Sequence, residues 1–286
     1  MRIRATVAAV SGALALSALA VPAAQADGPS YREAAAKVVS SASGNSTFAT
    51  ADAAQLDVSF SNLKIAKAVK VGTTSHVSTK VTYTLTHGAD VDVTSDDFAN
   101  GPFIYKGSLE DPANMLFGIE PATCTVVTDT TAACTALVDI YPGDNELINS
   151  DAGTWKVGAL ALNYTTEDST VQGDLGTTLV QRNSKLTVNA SPEPVKKGKT
   201  ITVTGKLSRA NWETNKYAGY ASQSVKLQFR KKSSSTYTTV KTIKSNSTGN
   251  LSTTVKASAD GYFRYSFAGT TTTPAVSATG DFVDVK

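Results

Sequence analysis

Apolar and polar residues alternate with a period of two along most of this chain, the pattern of strands that bury one face. Leu56, Val58 and Phe60 alternate with polar neighbours, and Val77, Thr79, Val81, Tyr83 and Leu85 repeat the pattern. Further strands are predicted at 91–94, 103–106 and 115–119, then a hairpin around Cys124 and Cys134, then a long strand over 153–164. Turn signals separate them at His87-Gly88, Asn100-Gly101-Pro102, Asp111-Pro112 and 141–145. The one helical signal comes early. Ser30 and Glu33 have capping-box spacing, and Ala34, Ala35, Val38 and Val39 then line one side of a short amphipathic helix, followed by a loop over 40–50.

The period of two is cleaner beyond Asn183. Strands are predicted at 185–190, 200–207, 225–230, 238–244, 251–256, 262–268 and 276–285, seven in about 100 residues. Residues 184–286 resemble the bacterial immunoglobulin-like modules of secreted actinobacterial proteins. The likeness rests on Leu186-Thr187-Val188, on 198–205, on 225–230 and on Asp260-Gly261-Tyr262-Phe263-Arg264-Tyr265. Residues 27–182 resemble the same class through Gly153-Thr154-Trp155-Lys156-Val157. The resemblance implies an all-β architecture of two immunoglobulin-like β-sandwich domains in tandem, with a short N-terminal helix. It implies spacers, stalks and binding platforms, and no activity.

Charge sharpens the division. Residues 27–182 hold 9 Lys and Arg against 19 Asp and Glu, and residues 183–286 hold 16 against 5. The expected organisation is a leader over 1–26, an acidic domain over 27–182 and a basic domain over 183–286. The leader is read from Arg2 and Arg4, the apolar run 5–20 and the small-x-small pattern Ala24-Gln25-Ala26. The protein is therefore expected outside the cell. The apolar run is too short for a stable span, so membrane insertion is not expected.

In an oxidising compartment Cys124 and Cys134 pair by default and clip one hairpin. Other chemistry is thinly supplied. His76 and His87 sit about 35 Å apart if 75–87 is one strand at about 3.3 Å per residue, so they do not share a site. Asp90, Asp92, Asp96 and Asp97 form the densest carboxylate group, a calcium candidate if loops converge or else a solvated acidic edge. Trp212, Tyr217 and Tyr220 crowd one loop. They either stack on sugar faces or cap the sandwich core, with Trp212 expected to be partly exposed. No hydrolase elbow, zincin helix or paired-cysteine motif occurs.

These residues point to a secreted, non-enzymatic binding or structural protein of the cell envelope or extracellular space. The basic half could meet a cell-wall polymer; specific nucleic-acid recognition is not expected. Two alternatives are a calcium-dependent adhesin and a secreted partner or inhibitor of another protein, presented by the clipped hairpin.

Overall fold

A computed structural model describes residues 30–42 and 54–286. The leader read at 1–26 and most of the 40–50 loop lie outside the described residues. Helix α1 spans Tyr31–Ala42. Its capping box forms as expected: the Glu33 N–H donates to Ser30 Oγ at 3.4 Å, and the Ser30 N–H donates to Glu33 Oε2 at 3.0 Å. Tyr31, Ala35 and Val39, four residues apart, form its buried stripe.

Nine strands follow: β1 Val58–Ile65, β2 Ala68–Val71, β3 Val77–His87, β4 Phe98–Gly107, β5 Pro112–Phe117, β6 Thr123–Thr128, β7 Thr131–Ile140, β8 Gly153–Asn163 and β9 Ser169–Arg182. One sheet runs β1-β3-β7-β6 and the other β2-β9-β8-β4-β5, with β2 parallel to β9 and the other pairs antiparallel. In immunoglobulin lettering these are sheets A-B-E-D and A′-G-F-C-C′. Phe60, Val81, Leu85, Ile104, Val138, Trp155 and Val157 fill the space between them.

Helix α1 makes a third layer. It packs on the outer face of the second sheet, over Phe103, Tyr105, Phe117, Leu160 and Leu162. Strand β4 is consequently buried on both faces over most of its length, and its Asn100-Gly101-Pro102 segment, expected to turn, is strand. Residues 98–102 of β4 pair with β8 on one side, while the β5 pairing starts at Phe103, so the missing N–H of Pro102 interrupts no ladder. Gly101 leaves room for the Tyr31 hydroxyl, which a Cβ there would strike.

The second sandwich begins one residue after β9. Its strands are β10 Ser184–Leu186, β11 Asn189–Ser191, β12 Thr200–Asn211, β13 Lys216–Gly219, β14 Ser224–Lys231, β15 Thr238–Lys244, β16 Asn250–Lys256, β17 Gly261–Phe267, β18 Val276–Ser277 and β19 Asp281–Val283. Strand β12 is flanked by β10, β11 and β16, and β13 extends it as a hairpin. The facing sheet runs β15-β14-β17-β18, with β19 also on β17. This is A-B-E against C′-C-F-G, again an immunoglobulin-like order. Phe263, Tyr265 and Phe267 face inward together, as their spacing predicts, and the Tyr265 hydroxyl crosses to the Val203 carbonyl at 2.8 Å.

Candidate functional site: the joint between the sandwiches

The aromatic loop after β12 is not a platform. Trp212 is 0 % exposed. Its ring lies in the core of the first sandwich, and its Nε1–H donates to the Gly72 carbonyl at 2.8 Å. This overturns both the expected exposure and the sugar-stacking role. An indole is large and apolar with a single donor, so a pocket ending in one carbonyl satisfies it completely. Tyr217 packs beside it, carries the Lys185 ammonium 3.8 Å over its ring, and accepts from Asn183 Nδ2 at 3.2 Å. Tyr220 instead meets Phe267 edge-on and is covered by the Arg209 guanidinium at 3.8 Å. The three rings therefore serve packing, with Trp212 and Tyr217 belonging to a joint between the sandwiches.

Polar groups complete that joint. Asn149 donates through Nδ2 to Glu213 Oε2 at 2.6 Å and to Asn211 Oδ1 at 2.9 Å, and its own Oδ1 accepts from the Trp212 N–H at 3.1 Å. Asn211 Oδ1 also accepts from the Glu213 and Thr214 N–H groups, an Asx turn that fixes the loop's shape. Arg182 donates from Nε to the Ala210 carbonyl at 2.6 Å, and Gln181 Nε2 donates to the Thr270 carbonyl at 2.8 Å. Backbone bonds run from Arg182 N to Thr272 O and from Asn183 N to Val71 O. Burial, and secondarily the neighbouring Arg209, pulls the Arg182 guanidinium down to about 10.

The other sequence candidates lie apart from this joint. Cys124 and Cys134 form the disulfide, joining β6 to β7 with Cα atoms 4.1 Å apart. The expected strand at 91–94 is a run of turns. There Asp92 Oδ1 accepts from the Thr94 N–H at 2.9 Å and the Thr94 hydroxyl at 2.7 Å, which holds its carboxyl below the usual range. Asp97 accepts from the Thr165 hydroxyl, and Glu146 is taken by Arg32 at 2.8 Å. Among the described residues no three acidic, His or Cys side chains converge to hold a metal ion, and Asp90, Asp92, Asp96 and Asp97 are not drawn into such a group. The Asp92 side chain caps a local turn, and Asp97 bonds the distant Thr165 hydroxyl.

The two histidines are separate, as expected, but His76 is not merely a surface residue. Its Nε2 lies 2.8 Å from Asp139 Oδ1 and 3.1 Å from Ser78 Oγ, and its ring stacks on Tyr141 at 4.2 Å. Serine, histidine and aspartate thus meet, yet not as a hydrolytic triad. That arrangement needs the two ring nitrogens to serve different partners, whereas here one nitrogen faces both and Ser78 donates directly to Asp139 at 2.5 Å. Asp139 also accepts from the Ile119 N–H at 3.1 Å, so the cluster ties β3, β7 and the β5–β6 connection together. Sequence reasoning missed it because Asp139 is 61 and 63 residues from its partners.

No protein-family model matches the chain, and no curated protein does. Solved structures show remote similarity. Latent PorU from Porphyromonas gingivalis is 9 % identical at a TM-score of 0.29, over 80 % of this chain and 20 % of its own. The Escherichia coli adhesin FdeC is 15 % identical at 0.34, over 82 % of this chain and 65 % of its own. The fibronectin(III)-like modules of Clostridium thermocellum CbhA are 10 % identical at 0.27, over 78 % and 92 %. The chain thus spans a fifth of the first and under two thirds of the second. Strand order, not these likenesses, establishes the immunoglobulin-like fold.

Proposed function

We propose that this is a non-enzymatic binding or structural protein of the extracellular space, in which two sandwiches divided at Asn183 are locked into one rigid body. The insertion of Trp212 from the second sandwich into the core of the first carries the reading. A tether between independent modules has no need to bury its largest side chain across the boundary, and a single residue between β9 and β10 leaves no slack. A rigid pair holds the surfaces of both sandwiches at a fixed separation, as a spacer or presenting stalk requires. The leader pattern at 1–26 and the disulfide support an extracellular setting. Calorimetry tests the lock. The intact protein should unfold in one cooperative transition, and Trp212→Ala, which removes about 3–5 kcal/mol of packing, should split it in two. Two well-separated transitions in the intact protein would refute it.

One observation favours a second reading, a protein that grips another protein. Strand β6 is a sheet edge clipped by the disulfide, and it exposes Val126 at 52 % and Val127 at 64 %. An uncharged apolar edge of this kind is suited to strand addition.

A further inference from the structure

The outer face of the β14-β17 sheet carries a row of cations and rings. Pairing places Gln228 opposite Arg264, Arg230 opposite Tyr262, and Tyr262 opposite Phe282, all on the side away from the core. The Arg264 guanidinium lies 3.8 Å over the Tyr237 ring, and Arg230 lies 3.8 Å over Tyr262 and 5.4 Å from Tyr237. Tyr262 then meets Phe282 at 5.1 Å, and Lys232 stands 5.4 Å over Phe282. Lys226 is exposed on the same face.

Among the described residues no carboxylate lies within ion-pair distance of Lys226, Arg230, Lys232 or Arg264. Strands β14, β15 and β17 contain no acidic residue at all. The single carboxylate of the sheet, Asp281, turns away to accept from the Ala190 N–H at 2.7 Å. Arg264 spends its Nε–H on Gln228 Oε1 at 2.8 Å, which fixes the plane of the guanidinium and leaves its outer N–H groups to solvent.

We propose that this face binds a linear anionic polymer whose charges are carboxylates or phosphates on a saturated backbone. The physical reason is pre-organisation. A guanidinium held flat on a ring and anchored at Nε loses little side-chain entropy when its remaining N–H fork takes an oxyanion. Arg264 keeps its whole fork for such an anion, whereas Arg230 on the adjacent strand, held by an Nη1–H on the Ser234 carbonyl at 2.9 Å, keeps part of its own; with Lys226 and Lys232 flanking them they make a stripe that a repeating anion can follow. Tyr237 and Tyr262 already carry guanidinium groups on their faces, so they offer no free platform for stacked bases, and a nucleic acid is the poorer fit. The surface lies within the second sandwich and stands whether or not the joint is rigid.

The test is titration calorimetry of the whole protein with polygalacturonate, inorganic polyphosphate, neutral dextran and single-stranded DNA at rising salt. Three proteins are compared: the native chain, Arg230→Gln/Arg264→Gln, and the charge-matched control Lys206→Gln/Lys256→Gln on the opposite sheet. Melting curves confirm that each is folded. The expected result is binding to polygalacturonate, polyphosphate or both, weakened by salt and absent with dextran. The arginine pair should lose tenfold or more in affinity and lower the salt slope by about two, while the control changes less than threefold. Carboxylate and phosphate sources are separated by which polymer binds more tightly. Equal losses in both double variants would overturn the proposal, because net charge alone would then act. So would tighter binding to DNA, or no binding to either polyanion.

Discussion

Asp139 shows how one buried carboxylate organises its surroundings. Burial on its own would raise its pKa, but hydrogen bonds from Ser78, the Ile119 N–H and His76 outweigh it, and the carboxyl is held below its usual value. A carboxylate depressed in the folded state contributes stability above its unfolded pKa of about 3.9, and loses it as pH falls through the folded value. Asp139→Asn should therefore flatten the acid limb of stability below about pH 4. Melting temperature against pH measures this, and parallel curves for both proteins would contradict it. Trp212 shows the limit of reading residues singly. Its loop is polar, with Asn211, Glu213 and Asn215 around it, so the sequence signals exposure, while the carbonyl that takes its indole N–H belongs to Gly72, 140 positions away.

Among the elements, alternation succeeded wherever one face is solvated. Strands β3 and β17 bury every second residue, and both were legible. Strand β9 was not, since its run of Thr, Gln and Gly is half-exposed for most of its length and earns its place by pairing with β8 and β2. Strand β13 was hidden in the aromatic loop for the same reason. The strand expected at 91–94 failed because Asp92 bonds its own downstream backbone and diverts the chain into turns. The clipped hairpin was readable from its cysteines. Reducing Cys124–Cys134 should lower stability by about 2–3 kcal/mol, as closure of so short a loop implies, without unfolding the protein at room temperature. Denaturant melts with and without reductant check this. Val127→Lys, on the exposed edge, should shift the same melts by no more than about 0.5 kcal/mol, so any loss of a partner in that variant would report on the surface itself.

For the whole molecule, the sequence showed two oppositely charged halves with the pattern of strands, yet not their attachment. Charge asymmetry alone would let two modules attract loosely through a screened field. Beside an exposed Asn149–Glu213 bond, the structure adds two buried contacts across the boundary: an indole in the opposite core and Arg182 on the Ala210 carbonyl. Such contacts are insensitive to salt. The acidic and basic surfaces thus remain available to outside partners, and the cation-ring face of the second sandwich is the clearest of them. The lock is tested most directly by small-angle scattering of the intact protein and Trp212→Ala at low and high salt. A single compact scattering profile, unchanged by salt in the intact protein and expanded in the variant, is the predicted result. An intact protein that already scatters as a flexible pair, or expands as salt rises, would contradict a rigid joint.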